Sequence, residues 1–109
     1  MINLDTLCSL IDSLDVPWAN QGFDKADEPE PPFICLVAGY SGSSYADNVS
    51  YIEWMEYEIA LYTRHRDYAL EKRISDALDA VECVHTLQVA SIGGESLIEA
   101  AFIVKVNED

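Results

Sequence analysis

Tyr51-Ile52-Glu53-Trp54-Met55-Glu56-Tyr57-Glu58-Ile59-Ala60-Leu61-Tyr62-Thr63 is the clearest long strand in the chain. A strand sends alternate side chains to opposite faces, so Met55, Tyr57, Ile59 and Leu61 share one side and read as core. Glu56 and Glu58 take the other side, with Ile52, Trp54 and Tyr62 nearby. That second face is partly acidic and partly aromatic, more apolar than a strand turned to water requires.

Both flanks of this strand carry readable elements. Phe33 to Tyr40 (FICLVAGY) is a continuous apolar run of strand length. Gly39-Tyr40-Ser41-Gly42-Ser43-Ser44 is expected to break it, with a polar link continuing to about Ser50. On the other side, residues 67–81 repeat Leu70, Ile74, Ala77, Leu78 and Val81 at helical spacing, with Asp67 as cap. Glu71, Lys72, Arg73, Asp76 and Asp79 fall off that stripe. Cys83 to Ile92 and Glu95 to Val106 then flank Gly93-Gly94, a pair suited to the positive φ angles of a turn. In the last run Ile98, Ala100, Phe102, Val104 and Val106 share a face, opposite Leu97, Glu99, Ala101, Ile103 and Lys105.

The beginning of the chain reads as a helix over residues 3–14. Leu4, Leu7, Ile11 and Leu14 form its stripe, Leu10 widens it, Asn3 caps it and Pro17 stops it. Residues 18–32, with four acids and three prolines, read as a loop whose Pro31-Pro32 end is extended. The order is therefore α-β-β-α-β-β. One domain over 1–109, an α+β two-layer sandwich with a four-stranded sheet covered by two helices, is the economical solution. Burial should follow Leu7, Ile11, Met55, Tyr57, Ile59, Ile74, Leu78, Ile98, Phe102 and Val104.

Twenty acids face six bases, a formal net charge of −14. Residues 1–63 hold eleven acids and one base, Lys25; residues 64–109 hold nine acids and five bases. Such a surface repels a phosphate backbone and argues against gripping nucleic acid, although DNA can pass beside it. No apolar run approaches the length of a membrane span. Met1-Ile2-Asn3-Leu4-Asp5 shows neither a basic region nor a cleavage pattern, which predicts a cytosolic chain. Cys8, Cys35 and Cys83 are isolated in apolar surroundings and read as reduced core thiols.

Little in the chain points to chemistry. Gly39-Tyr40-Ser41-Gly42 resembles the elbow that presents a nucleophilic serine, but position 43 is Ser and no helix follows. Glu56 and Glu58 share a strand face as a glycosidase pair could, yet simple alternation explains them. His65 lies between two arginines, and His85 is twenty residues away with no cysteine at a ligand spacing, so no metal site forms. No catalytic residue, cofactor or metal is expected. The basic group Arg64-His65-Arg66, followed by Lys72 and Arg73, is an ordinary solvated patch on one reading. On the other it meets an acidic surface of a neighbouring copy, with Trp54 and Tyr62 adding an apolar part.

Phe33 to Val106 resembles the tail completion, or tail terminator, proteins of long-tailed non-contractile bacteriophages and related prophages. The resemblance is carried by Pro32-Phe33, Ala46-Asp47-Asn48 with Tyr51, Tyr57-Glu58-Ile59, Leu61-Tyr62-Thr63, Leu70-Glu71-Lys72-Arg73-Ile74 and Ala77-Leu78. The leading helix, Pro17 and Phe23 extend it over nearly the whole chain. It implies a non-enzymatic structural subunit in a ring, commonly of six copies, that stops tail-tube growth and helps join the tube to the capsid's connector. Partners would be copies of itself, the tail tube protein and the head-tail connector protein, with no specific nucleic-acid binding and no membrane. Assembly would occur in the host bacterial cytoplasm, before residence in the virion neck. Another neck or minor tail-assembly protein is the alternative, and a small acidic binding module is less well supported. Cys83 to Ile92 departs from the family's texture, being apolar and nearly uncharged where charged residues are expected. An extra contact surface there would account for it.

Overall fold

In the computed structural model the chain forms α1 (Leu4–Asp12), β1 (Trp18–Asn20), β2 (Phe33–Ala46), β3 (Val49–Thr63), α2 (Tyr68–Ala80), β4 (His85–Ile92) and β5 (Leu97–Asn107). A single 3-10 turn, Lys25–Asp27, lies between β1 and β2. The structure describes residues 2–46, 49–94 and 96–107; for 25, 40–46 and 49–54 it describes the backbone alone. The sheet order is β1-β2-β3-β5-β4. β1 and β2 are parallel, and the other neighbouring pairs are antiparallel.

The expected four-stranded α-β-β-α-β-β arrangement is thus corrected to a five-stranded mixed sheet with two α-helices. The added strand is β1, inside the stretch read as loop. It is three residues long, too short to show a period, and its place is set by backbone pairing. Ile34 N–H donates to Pro17 O at 2.8 Å and Gln21 N–H donates to Leu36 O at 2.6 Å.

The second correction concerns Gly39 to Ser44. No break occurs there: β2 continues to Ala46 and β3 begins at Val49. The glycine marks a bulge, because Ala38 pairs with Tyr57 but Ser41 with Met55, one residue more on β2 than on β3. A Cβ on Gly39 would lie 3.0 Å from the Glu56 carbonyl oxygen, so the backbones approach there as only glycine readily permits. Residues 47 and 48, which contribute to the resemblance, lie outside the described residues.

The phase of β3 agrees with the alternation. Tyr57, Ile59 and Leu61 are buried under the helices with Ala100, Phe102, Val104 and Val106 of β5 and Ile34 and Leu36 of β2. α1 contributes Leu7, Leu10 and Ile11, and α2 contributes Leu70, Ile74 and Leu78. Of the ten expected core positions, Met55 and Ile98 are only half-buried, since they sit near opposite ends of the β3–β5 ladder. Asn3 and Asp67 cap the helices as expected, accepting from Thr6 N–H at 2.9 Å and Leu70 N–H at 3.0 Å. Glu71, off the apolar stripe of α2, is nonetheless buried.

The opposite face of the sheet is not left to water. The segment between β1 and β2 turns at Gln21 and Gly22, both at positive φ, and brings Phe23 edge-on to Phe33 at 5.8 Å. Phe33 stacks on Tyr62 at 5.1 Å. This small aromatic cluster accounts for Tyr62 on the second face of β3. The three cysteines are free thiols, with Cys83 buried and Cys8 and Cys35 half-buried; burial raises the pKa of each above the ordinary thiol value.

Phe102 is among the largest fully buried side chains. Phe102→Ala should lower unfolding free energy by about 3–5 kcal/mol, measured by urea denaturation. A loss below about 1 kcal/mol would show that the helix layer does not pack on β5 as described.

Candidate functional site

The connection from β3 to α2 holds the basic group. Each of its cations, and each of the two that follow on α2, has a partner within the same chain. Arg64 Nη2 meets Glu30 Oε2 at 2.8 Å, with both side chains largely exposed. Arg66 grips Glu71 with two bonds, Nε to Oε2 and Nη2 to Oε1, each 2.9 Å, and its guanidinium lies 4.5 Å from the centre of the Tyr68 ring. Lys72 reaches Asp76 at 2.8 Å one helical turn on. Arg73 donates to the Leu14 carbonyl oxygen at 2.9 Å, tying α2 to the end of α1.

These bonds differ in what they hold. The Arg66 fork explains why Glu71 can be buried: a carboxylate leaving water needs a charge-assisted donor pair. The Arg73 bond satisfies a carbonyl left over where α1 ends. The Arg64 and Lys72 pairs are solvent-facing on both sides, contribute little to stability, and can exchange partners cheaply. Pro31, Pro32, Thr63 and Tyr68 line a groove of about 360 Å³ beside Arg64 and Arg66. The four cations therefore divide into two structural ties and two mobile charges.

Tyr62 is half-buried between Phe33 and β5. Its hydroxyl donates to Glu99 Oε2 at 2.6 Å across the β3–β5 pair. Burial first, then the hydrogen bond and the negative charge of Glu99, hold this phenol well above its ordinary pKa. Tyr62 thus has a role inside the subunit. Trp54 pairs with Gly42 and Asn107 along the sheet, but its side chain lies outside the described residues.

Ser41 sits within β2 opposite Met55, so its backbone is part of a strand ladder rather than a strand-to-helix elbow. Glu56 and Glu58 are half-buried on the face away from the helices. His65 is exposed. No cluster able to hold a metal ion occurs among the described residues, and among these residues no helix is long and apolar enough to cross a membrane.

One pairing escaped the sequence reading. Ser75 Oγ lies 2.9 Å from His85 Nε2, and His85 Nδ1 lies 2.9 Å from the Cys83 carbonyl oxygen. A carbonyl only accepts, so Nδ1 carries the proton in the neutral ring and Nε2 accepts from the Ser75 hydroxyl. That is the tautomer a general base needs, but a serine nucleophile also needs donors facing the oxyanion it creates. Ser75 lies inside α2, where neighbouring backbone N–H groups serve the helix ladder. The bond instead ties α2 to the first residue of β4. The two residues lie ten apart across a helix-to-strand turn, a separation that matches no local periodicity.

Alkaline titration followed at the phenolate absorbance should show a late tyrosine step well above the ordinary phenol range, and Tyr62→Phe should remove it. An unchanged curve would contradict the Tyr62–Glu99 arrangement. Because the folded-state pKa is raised, this group's contribution to stability is present below about pH 10 and is lost as pH climbs toward the folded value. Tyr62→Phe should flatten that part of the stability profile. Arg66→Ala should lower the denaturation midpoint more than Arg64→Ala, since only the former strands a buried carboxylate; equal midpoints would contradict the division of roles. No protein-family model matches the chain, and no curated protein matches it.

Proposed function

We propose that this chain is a non-enzymatic structural subunit that closes the tail tube of a long-tailed, non-contractile phage or prophage and contributes to joining tail and head. The observation that carries the reading is the ordered resemblance over Phe33 to Val106, centred on Tyr57-Glu58-Ile59 and Leu61-Tyr62-Thr63. Those residues occupy the middle of the sheet, so the resemblance includes the strand on which the fold is built. The net charge of −14 suits a ring through which DNA slides without sticking.

Copies arranged around a tube would meet head to tail, one surface against a different one. Arg64 and Lys72 are the cations suited to that contact, because each is paired with an exposed carboxylate that a neighbour's carboxylate can replace. Arg66 and Arg73 are occupied in holding Glu71 and the end of α1. Trp54 supplies the aromatic part of the contact in this reading. The ring, of six copies on the family resemblance, would then contact the tube protein on one side and the connector on the other.

Removing the gene from its phage or prophage should yield separate capsids and tubes of uncontrolled length by electron microscopy. Restoring it as Arg64→Glu/Lys72→Glu should fail to rescue, with the purified variant's circular dichroism and denaturation midpoint close to those of the parent chain. Normal tails without the gene would overturn the function. Full rescue by the double variant would overturn the assigned contact alone.

A further inference from the structure

β4 is the long open edge of the sheet: it pairs with β5 on one side, and no strand pairs with its other side among the described residues. Proteins commonly blunt such an edge with lysine, proline, a bulge or a covering element. Here Cys83 to Gly94 contains no Asp, Glu, Lys, Arg or Pro, in a chain carrying 26 such charges over 109 residues. Its ladder with β5 runs from His85↔Val104 to Ile92↔Leu97 without a shift in register, so no bulge twists it away. Four large hydrophobic residues are exposed among the described residues, and three of them belong to this segment: Val84 at 87%, Leu87 at 41% and Val89 at 40%. Leu87 and Val89 stand opposite Phe102 and Ala100, on the helix side of the sheet but beyond the reach of the helices.

We propose that this edge pairs with the same edge of a second copy, antiparallel about a two-fold axis at Gln88, giving a continuous ten-stranded sheet across a dimer. In that register Leu87 of each copy stands opposite the partner's Val89, both on the helix side. His85 meets the partner's Ser91, Thr86 meets the partner's Ala90, and Val84 comes opposite the partner's Ile92. In the run Val84 to Ile92 apolar residues meet apolar ones at 84/92 and 87/89, and uncharged residues meet each other at 85/91 and 86/90, so the patch is complementary to itself as an isologous contact requires. Cross-strand apolar pairs and the unused backbone groups of the edge supply the attraction.

Charge selects the occupant. Two copies of a −14 chain repel wherever their carboxylates are apposed, and this charge-free edge lets them approach without doing so. The Ser75–His85 bond holds the start of the strand in place before any partner arrives. Pairing about a two-fold axis closes on itself, so the dimer stands independently of any ring.

Sedimentation velocity on the full chain over a range of concentrations, at low and at high salt, tests this. Dimer is expected, strengthening with salt as the net charges are screened. Leu87→Asp should leave monomer with unchanged circular dichroism. Under oxidation, Gln88→Cys should give a covalent dimer on a non-reducing gel, because directly opposed Cα atoms lie within disulfide reach. Ala90→Cys, whose counterpart is the partner's Thr86, should give no covalent dimer above the parent chain's background. A parent chain that stays monomeric throughout would leave the edge to another protein's strand and overturn the proposal. So would dimers indifferent to Leu87→Asp, or equal cross-linking at positions 88 and 90.

Discussion

β3 is paired along both edges, with β2 over Phe33–Ala46 and with β5 over Leu97–Asn107. A slip of one residue would carry Glu56 and Glu58 beneath the helices and expel Tyr57, Ile59 and Leu61 from the core. That penalty makes the alternation within β3 the constraint on which the other elements depend. Once its phase is set, β5 must present Ala100, Phe102, Val104 and Val106 to the same side. α1 and α2 then cover that side with Leu7, Ile11, Ile74 and Leu78. The opposite phase places Tyr62 over Phe33 and beside Glu99, so one strand organises both faces.

The charges follow from that framework. A chain with twenty acids and six bases cannot neutralise itself, and two of its cations make bonds of structural value. Arg66 accompanies Glu71 into the protein, and Arg73 closes the end of α1. Arg64 and Lys72 remain at the surface with exchangeable partners. The charges of the chain are otherwise mostly acidic. The uncharged edge at β4 stands apart from them, held against α2 by Ser75 and His85.

How much of this was legible in the residues depended on period and length. β3, β5 and both helices run far enough for spacing to reveal their faces, and Asn3 and Asp67 supplied the capping signals. β1 left no such trace: Trp18, Ala19 and Asn20 form too short a run, and only pairing with Ile34, Cys35 and Leu36 makes them a strand. Gly39 and Gly42 suggested a break because glycine is common in turns, whereas the backbone uses Gly39 to pass close to Glu56 within a bulged ladder. Glu71 is polar, so periodicity placed it outward, and only its fork with Arg66 makes burial tolerable. The basic cluster was visible as a run of residue types, but its division into fixed and exchangeable cations depends on Glu30, Glu71 and Leu14, which no helical or strand period connects to it; only Lys72 and Asp76 have that spacing.

The central claim concerns location in a particle. Antibody-gold labelling of any phage-like particles released by the cells that carry this gene, viewed by electron microscopy, addresses it directly. Label confined to the junction between head and tail is expected. Label along the tube, at the distal tip, or absent from intact particles would contradict it.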